Sequence, residues 1–182
     1  MNTTPEQVLD FWFRELDRAL WFRATPALDA DIRRRFESTC EQALAGQLTH
    51  WRRNAAGCLA LVIVLDQFPL NMYRGTAEAF AGEAPAREIA AHAIARGFDT
   101  QLDAAQKAFL YMPYMHSEDP ADQDRSVALF EAAGLEDNVK WARHHRDIVR
   151  RFGRFPHRNA ILGRASTEEE AAWLRSAEGY QG

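Results

Sequence analysis

Cysteine is nearly absent: Cys40 and Cys58 are the two thiols of a 182-residue chain. Their spacing makes no Cys-x-x-Cys pair, which excludes a zinc knuckle, a thioredoxin-like redox motif and a disulfide framework, and leaves both as expected core residues. The longest unbroken run of apolar residues and glycine, Ala55 to Leu65, falls short of the ~20 residues that span a bilayer. The amino terminus, MNTTPEQVLDFW, has neither a basic region nor a continuous apolar stretch of the secretory kind. These features predict a cytoplasmic protein with no membrane partner. Cationic charge is not in excess either, with 22 Lys and Arg against 26 Asp and Glu and a formal net charge of -4. A whole-surface attraction to nucleic acid is thereby excluded, and any anion must be met locally.

Metal signatures are missing as well. No HExxH or HxxxH pair occurs, and the His-x-Glu of His116 and Glu118 lacks the Pro-Cys-x-x-Cys that a zinc deaminase requires. No metal and no cofactor are expected. What is present is a chain with 47% apolar residues, no low-complexity tract and no evident linker, which fits a single domain over residues 1–182.

The local signals are helical. Thr4-Pro5-Glu6-Gln7 is a capping box with proline at the first helical position, placing Val8, Leu9, Trp12 and Leu16 inward. After Thr25-Pro26, Asp29 is a candidate cap for a helix with Ile32, Phe36, Cys40, Ala43 and Leu44 on its inner face. AAGCLALVIVLDQFP is apolar all round and reads as a central buried helix ending near Phe68-Pro69. An alanine-rich helix follows from Pro85 to Arg96 and stops at Gly97, and the next runs from Leu102 until Pro113. Asp119-Pro120 opens a helix that Gly134 ends. A long helix from Asp137 to Phe152 presents Asn138, Ala142, His145, Val149 and Phe152 inward before Gly153. Ser166 and Thr167 offer overlapping capping boxes to a last helix through Trp173. The tryptophans, including Trp12, Trp21, Trp51 and Trp141, are expected in the core. The sum is an all-α fold of about eight helices with no strand pair.

Polar residues gather at three places. Asp66, Gln67, Asn71 and Arg74 surround the first Phe-Pro corner, where an acid at a helix carboxyl end calls for a cationic partner. His116 and Glu118 occupy an irregular turn and could act as a general acid–base pair, whereas Asp119 caps the following helix. Arg154, His157, Arg158 and Asn159 flank the second Phe-Pro corner in RFGRFPHRNAILGR, a stretch with four arginines, one histidine and no acid. Arginine forks there suit a carboxylate or phosphate, whether the acid belongs to the chain or to a ligand. RRFGRF matches an RNA-binding strand motif only superficially, because it follows a helix.

The segments LDQFPLNMYRGTAEAF, FLYMPYMHSED and RFGRFPHRNAILGRASTEEEAAWL closely resemble, in order and over nearly the whole chain, the motifs of the bacterial family known as domain of unknown function 924. Leu70 stands where that family usually has arginine. The resemblance implies an all-α fold of the tetratricopeptide-like class, with right-handed stacking of antiparallel helix pairs, although no 34-residue consensus repeats in the chain. Two functions remain open: a small anionic ligand, bound or turned over at the polar residues, or a peptide or protein partner held on a helical surface while those residues pair structurally.

Overall fold

Several helix starts are fixed by a short polar side chain that satisfies backbone N–H groups left over at the helix end. In the computed structural model, which describes residues 3–23, 25–176 and 179, Thr4 accepts from Gln7 and Gln7 returns the bond, a complete capping box ahead of α1 (Pro5–Asp10). Thr25, rather than Asp29, caps α2 (Pro26–Leu44): its hydroxyl accepts from the Leu28 N–H, with Pro26 at the first position, while Asp29 falls inside the first turn. Asn54 accepts from Gly57 at the start of α3 (Ala55–Val62).

The central apolar run does not end at Phe68-Pro69. It passes through a π-helical turn, Ile63–Gln67, directly into α4 (Phe68–Met72). Pro69 follows the π-helical turn, where the Phe68 N–H bonds the Ile63 carbonyl, so its missing N–H falls where the regular ladder has already changed register. Asp66 therefore sits within a continuous helical rod, not at a carboxyl terminus, and the dipole argument for its partner falls.

Next come α5 (Glu83–Ala95), α6 (Ala104–Met115) and α7 (Pro120–Ala132), followed by α8 (Glu136–Phe152) and α9 (Glu168–Arg175). Counting α3 and α4 as one rod, the described residues form eight α-helical rods joined by short 3₁₀ and π turns, with no strand among them. The fold is all-α.

Pro113 lies within α6 instead of ending it. Only the last turn loses a hydrogen bond there, and Tyr114 and Met115 are both buried, at 3% and 6% exposure, so apolar burial outweighs the proline cost.

The chain divides into two compact units, one of Met1–Arg74 with Glu78–Pro113 and one of Gly75–Ala77 with Tyr114–Gly182. In the first, α1 and α5 pack on α3 and α2 packs on α4. Its core is aromatic: Phe36 stacks on Phe68 at 4.7 Å and Trp12 meets Phe109 edge-on at 5.5 Å. Gly82 is required here, since a Cβ would overlap the Leu65 carbonyl oxygen.

In the second unit α7 packs along α8, and α9 lies against the 3₁₀ turn Pro156–Arg158. Ile148, Val149, Phe155 and Trp173 form a buried cluster edged by Phe152 and Leu174. The α8 stripe differs from expectation at its ends. Val139 and Ile148 are buried with Ala142, His145 and Val149, but Asn138 and Phe152 are only half-buried. Trp141, expected in the core, is 54% exposed. Leu44, the last residue of α2, is also exposed.

Candidate functional site

The arginine-rich stretch that carries no acid is balanced by acids from other elements of the second unit. α8 stops at Gly153, whose φ of 72° closes the helix in the left-handed region. The chain then turns through Phe155-Pro156 and Ala160–Gly163 to the Thr167 cap of α9. Along this path Arg150 binds Asp124 at 2.7 Å and Arg151 binds Glu169 at 2.9 Å, both on the surface. The next two pairs are more enclosed.

Arg154 grips Glu170 with two parallel bonds, Nε to Oε1 at 2.7 Å and Nη2 to Oε2 at 2.8 Å, and also donates to the Ala165 carbonyl. Glu170 serves two further donors, the Thr167 N–H at 2.7 Å and Asn159 Nδ2 at 3.2 Å. The Arg154 fork, with the Thr167 N–H and Asn159, holds its carboxyl down at about 2 in spite of burial.

Arg164 makes the second fork, on Glu118, with Nη1 to Oε2 at 2.7 Å and Nη2 to Oε1 at 2.9 Å. The Phe155 N–H donates to the same carboxylate at 2.7 Å. Partial burial raises the pKa of Glu118, but Arg164, the Phe155 N–H and the nearby charge of Arg158 outweigh it and hold the group ionised. A carboxylate so held is a poor general acid at neutral pH.

Around the Phe155 ring, which is fully buried, three ionisable groups converge. The Arg158 guanidinium lies 4.7 Å from its centroid, and His157 and His145 lie at 5.5 and 5.6 Å. His145 Nδ1 is 2.8 Å from the Trp141 carbonyl, which can only accept, so Nδ1 carries the hydrogen and Nε2 the lone pair. Burial pushes His145 down to about 3 against that bond, with His116, His144 and His157 adding to the fall. Burial and then the Arg158 charge lower His157 to about 4. His116 is half-buried.

The expected site residues thus fall into two sets. His116, Glu118, Arg154, His157, Arg158 and Asn159 belong to the second unit; Glu118, His157 and Arg158 meet Phe155 directly, and His116 lies within electrostatic reach of His145 and His157. Arg154 and Asn159 instead anchor Glu170. Asp66, Gln67, Asn71 and Arg74 belong to the first unit. There Gln67 donates to Asp66 at 2.6 Å, both being buried, and Asn71 donates to the Gln67 carbonyl. Arg74 makes an exposed bridge to Asp29 at 3.3 Å. Two contributors escaped the sequence reading. Arg164 looked like a loop residue, and Glu170 like no more than the acid of a capping box, although its place opposite four arginines was a usable signal. No group of three or more His, Cys, Asp or Glu able to hold a metal exists among the described residues.

Among solved structures, a protein of unknown function from Agrobacterium tumefaciens, ATU0120, matches with a TM-score of 0.89 and 40% identity, over 94% of this chain and 96% of that one. No curated protein matches. The family model described as "Bacterial protein of unknown function (DUF924)" matches residues 8–178. With three motifs in order, one shared fold and a match over nearly its whole length, the chain belongs to this bacterial family.

Proposed function

We propose that the Phe155 corner of the second unit binds a small anionic molecule, with Arg158 supplying the charge and His157 and His116 the hydrogen bonds. The observation that carries the reading is the convergence of Arg158, His157 and His145 on one buried ring. Perturbed titratable groups concentrated at one place mark functional sites more often than chance. Uncharged imidazoles each offer a donor and an acceptor, and a guanidinium favours a carboxylate or phosphate. Arg158 lies over the Phe155 ring, and its charge reaches the carboxylate that Arg164 holds at the same corner. In an enzymatic version the acid–base group is His116, since Glu118 stays ionised.

The test is thermal unfolding with inorganic phosphate or acetate at ~10 mM, because a ligand specific for the native state raises its apparent stability. A rise in Tm for the wild type that disappears in His116→Ala and Arg158→Met, both with unchanged far-UV circular dichroism, supports the reading. An equal rise in all three proteins, or none in any, defeats it.

A second reading is a tetratricopeptide-like module that holds a peptide. Trp141 favours it, being 54% exposed on α8 with His144 edge-on at 5.9 Å, since exposed tryptophans are common binding anchors. It requires a stoichiometric partner that binds equally well without His116 and Arg158 and fails with Trp141→Ala.

A further inference from the structure

We infer that the second Phe-Pro corner is a preformed carboxylate receptor in which Glu118 is the resident occupant, and that the ligand of the anion site is a carboxylate that takes its place. This rests on the anion-binding reading above and names both the ligand class and the contact that regulates access.

Three donors meet the Glu118 carboxylate: the Phe155 N–H at 2.7 Å, Arg164 Nη1 at 2.7 Å and Arg164 Nη2 at 2.9 Å. A planar guanidinium fork joined by a backbone N–H already holds both oxygens of a carboxylate here, so a ligand of the same geometry inherits every bond that Glu118 makes. Arg158 adds its charge to the same place.

The receptor does not need Glu118 to stay assembled. Arg164 Nε donates to Asn159 Oδ1 at 3.0 Å, and Nη2 also reaches the Phe155 carbonyl at 3.2 Å. Asn159 is 1% exposed and is itself anchored through Nδ2 to Ser166 and Glu170. The guanidinium is therefore fixed by the corner on its own side, and the Phe155 N–H is fixed by a fully buried residue. Such preorganisation is the usual mark of a binding site, because the ordering cost is met before the ligand arrives.

The turn that carries Glu118 is equally independent of it. Ser117 Oγ donates to Asp122 at 2.7 Å and accepts from the Asp119 N–H, while Gln123 Nε2 bonds the carbonyls of Met115 and Ser117 at 2.8 and 2.6 Å. All three bonds of the Glu118 carboxylate leave the turn and enter the corner. Its side chain is 27% exposed and that of Arg164 25%, so a solute can reach the pair from water. A tethered carboxylate competes at the high effective concentration that a short link confers, and it sets a threshold that a free one must exceed.

The experiment measures acetate binding by calorimetry and by Tm in the wild type, Glu118→Ala, Glu118→Gln and the double variant Glu118→Ala/Arg164→Ala. The expected result is acetate binding at least tenfold tighter in Glu118→Ala than in the wild type, with recovery of part of the lost Tm, and no binding in the double variant. Glu118→Gln keeps the shape and an acceptor for the Phe155 N–H without the charge. It stands in should the alanine variant fail to fold, and should show the same direction of change. Equal acetate affinity in wild type and variants, or no acetate binding in any single variant, overturns the inference. If phosphate still stabilises the wild type through Arg158 and His116 in that event, the anion-binding reading survives while the displacement of Glu118 does not.

Discussion

His145 and His157 stay uncharged at neutral pH because burial, with Arg158 beside His157, opposes a further cation. Their folded-state values of about 3 and about 4 lie below the ordinary 6.5, so the unfolded chain takes up these protons first and stability falls as pH drops below 6.5. Two such groups give a slope approaching ~2.7 kcal/mol per pH unit between about pH 6 and pH 4.5. Urea midpoints measured across this range should show that slope, and a His145→Asn/His157→Asn variant should flatten it. Glu170 acts in the same direction but in a lower window. Its carboxyl is depressed from 4.5 to about 2, so its stabilisation is complete above 4.5 and is lost between there and about 2. Removing it leaves Arg154 without its principal partner. Glu170→Ala should cost on the order of 3 kcal/mol in equilibrium unfolding; a loss below ~1 kcal/mol would mean that solvent takes over the role of the carboxylate. At this scale the sequence was half legible. His116 and Glu118 stood out because they interrupt a helical pattern. Arg164 did not, because its partner lies 46 positions away and no periodicity links a loop arginine to a distant acid.

Helices were the legible level. The caps Thr4, Asp119 and Thr167 and the stops Gly97 and Gly153 all occur where short-range chemistry places them, because a cap needs only residues within one turn. Errors came where burial overrode a local rule. The rod Ala55–Met72 runs through Phe68-Pro69 and α6 runs through Pro113, since neither proline removes a bond that the buried flanks cannot outweigh. The π-helical turns at Phe11–Glu15 and Ile63–Gln67 leave no mark in composition. One of them turns the consecutive polar residues Asp66 and Gln67 both inward, which a regular 3.6-residue period does not anticipate. Gly82 lies where that rod passes closest, with no room for a Cβ against the Leu65 carbonyl. Gly82→Ala must therefore shift backbone, and should lower stability by about 2 kcal/mol or more, read from the urea midpoint. A neutral result would show that α5 can slide along the rod. Thr167→Ala, which removes one half of a capping box, should cost ~1 kcal/mol.

For the molecule as a whole, net charge and hydropathy point to opposite partners, and the placement of side chains decides between them. A formal charge of -4 repels anions at long range, so the anion binding proposed above relies on guanidinium groups positioned at one corner. The rod Ala55–Met72 has 18 residues and a mean hydropathy of 1.6, enough to qualify as a membrane span by length and composition. Yet 83% of it is buried inside the protein, with Cys58, Leu59, Ala60, Val62, Ile63 and Val64 at 0% exposure. A rod whose faces are already covered gains nothing from lipid, because its apolar surface has left water on folding. The folded chain should therefore remain in the aqueous phase when a Triton X-114 solution is warmed through its cloud point, and should not float with anionic vesicles. Recovery in the detergent phase while far-UV circular dichroism stays native would mean that the rod leaves the core, and the fold would then need a second arrangement in which Asp66 faces lipid, which the cost of an unpaired carboxylate in hydrocarbon forbids.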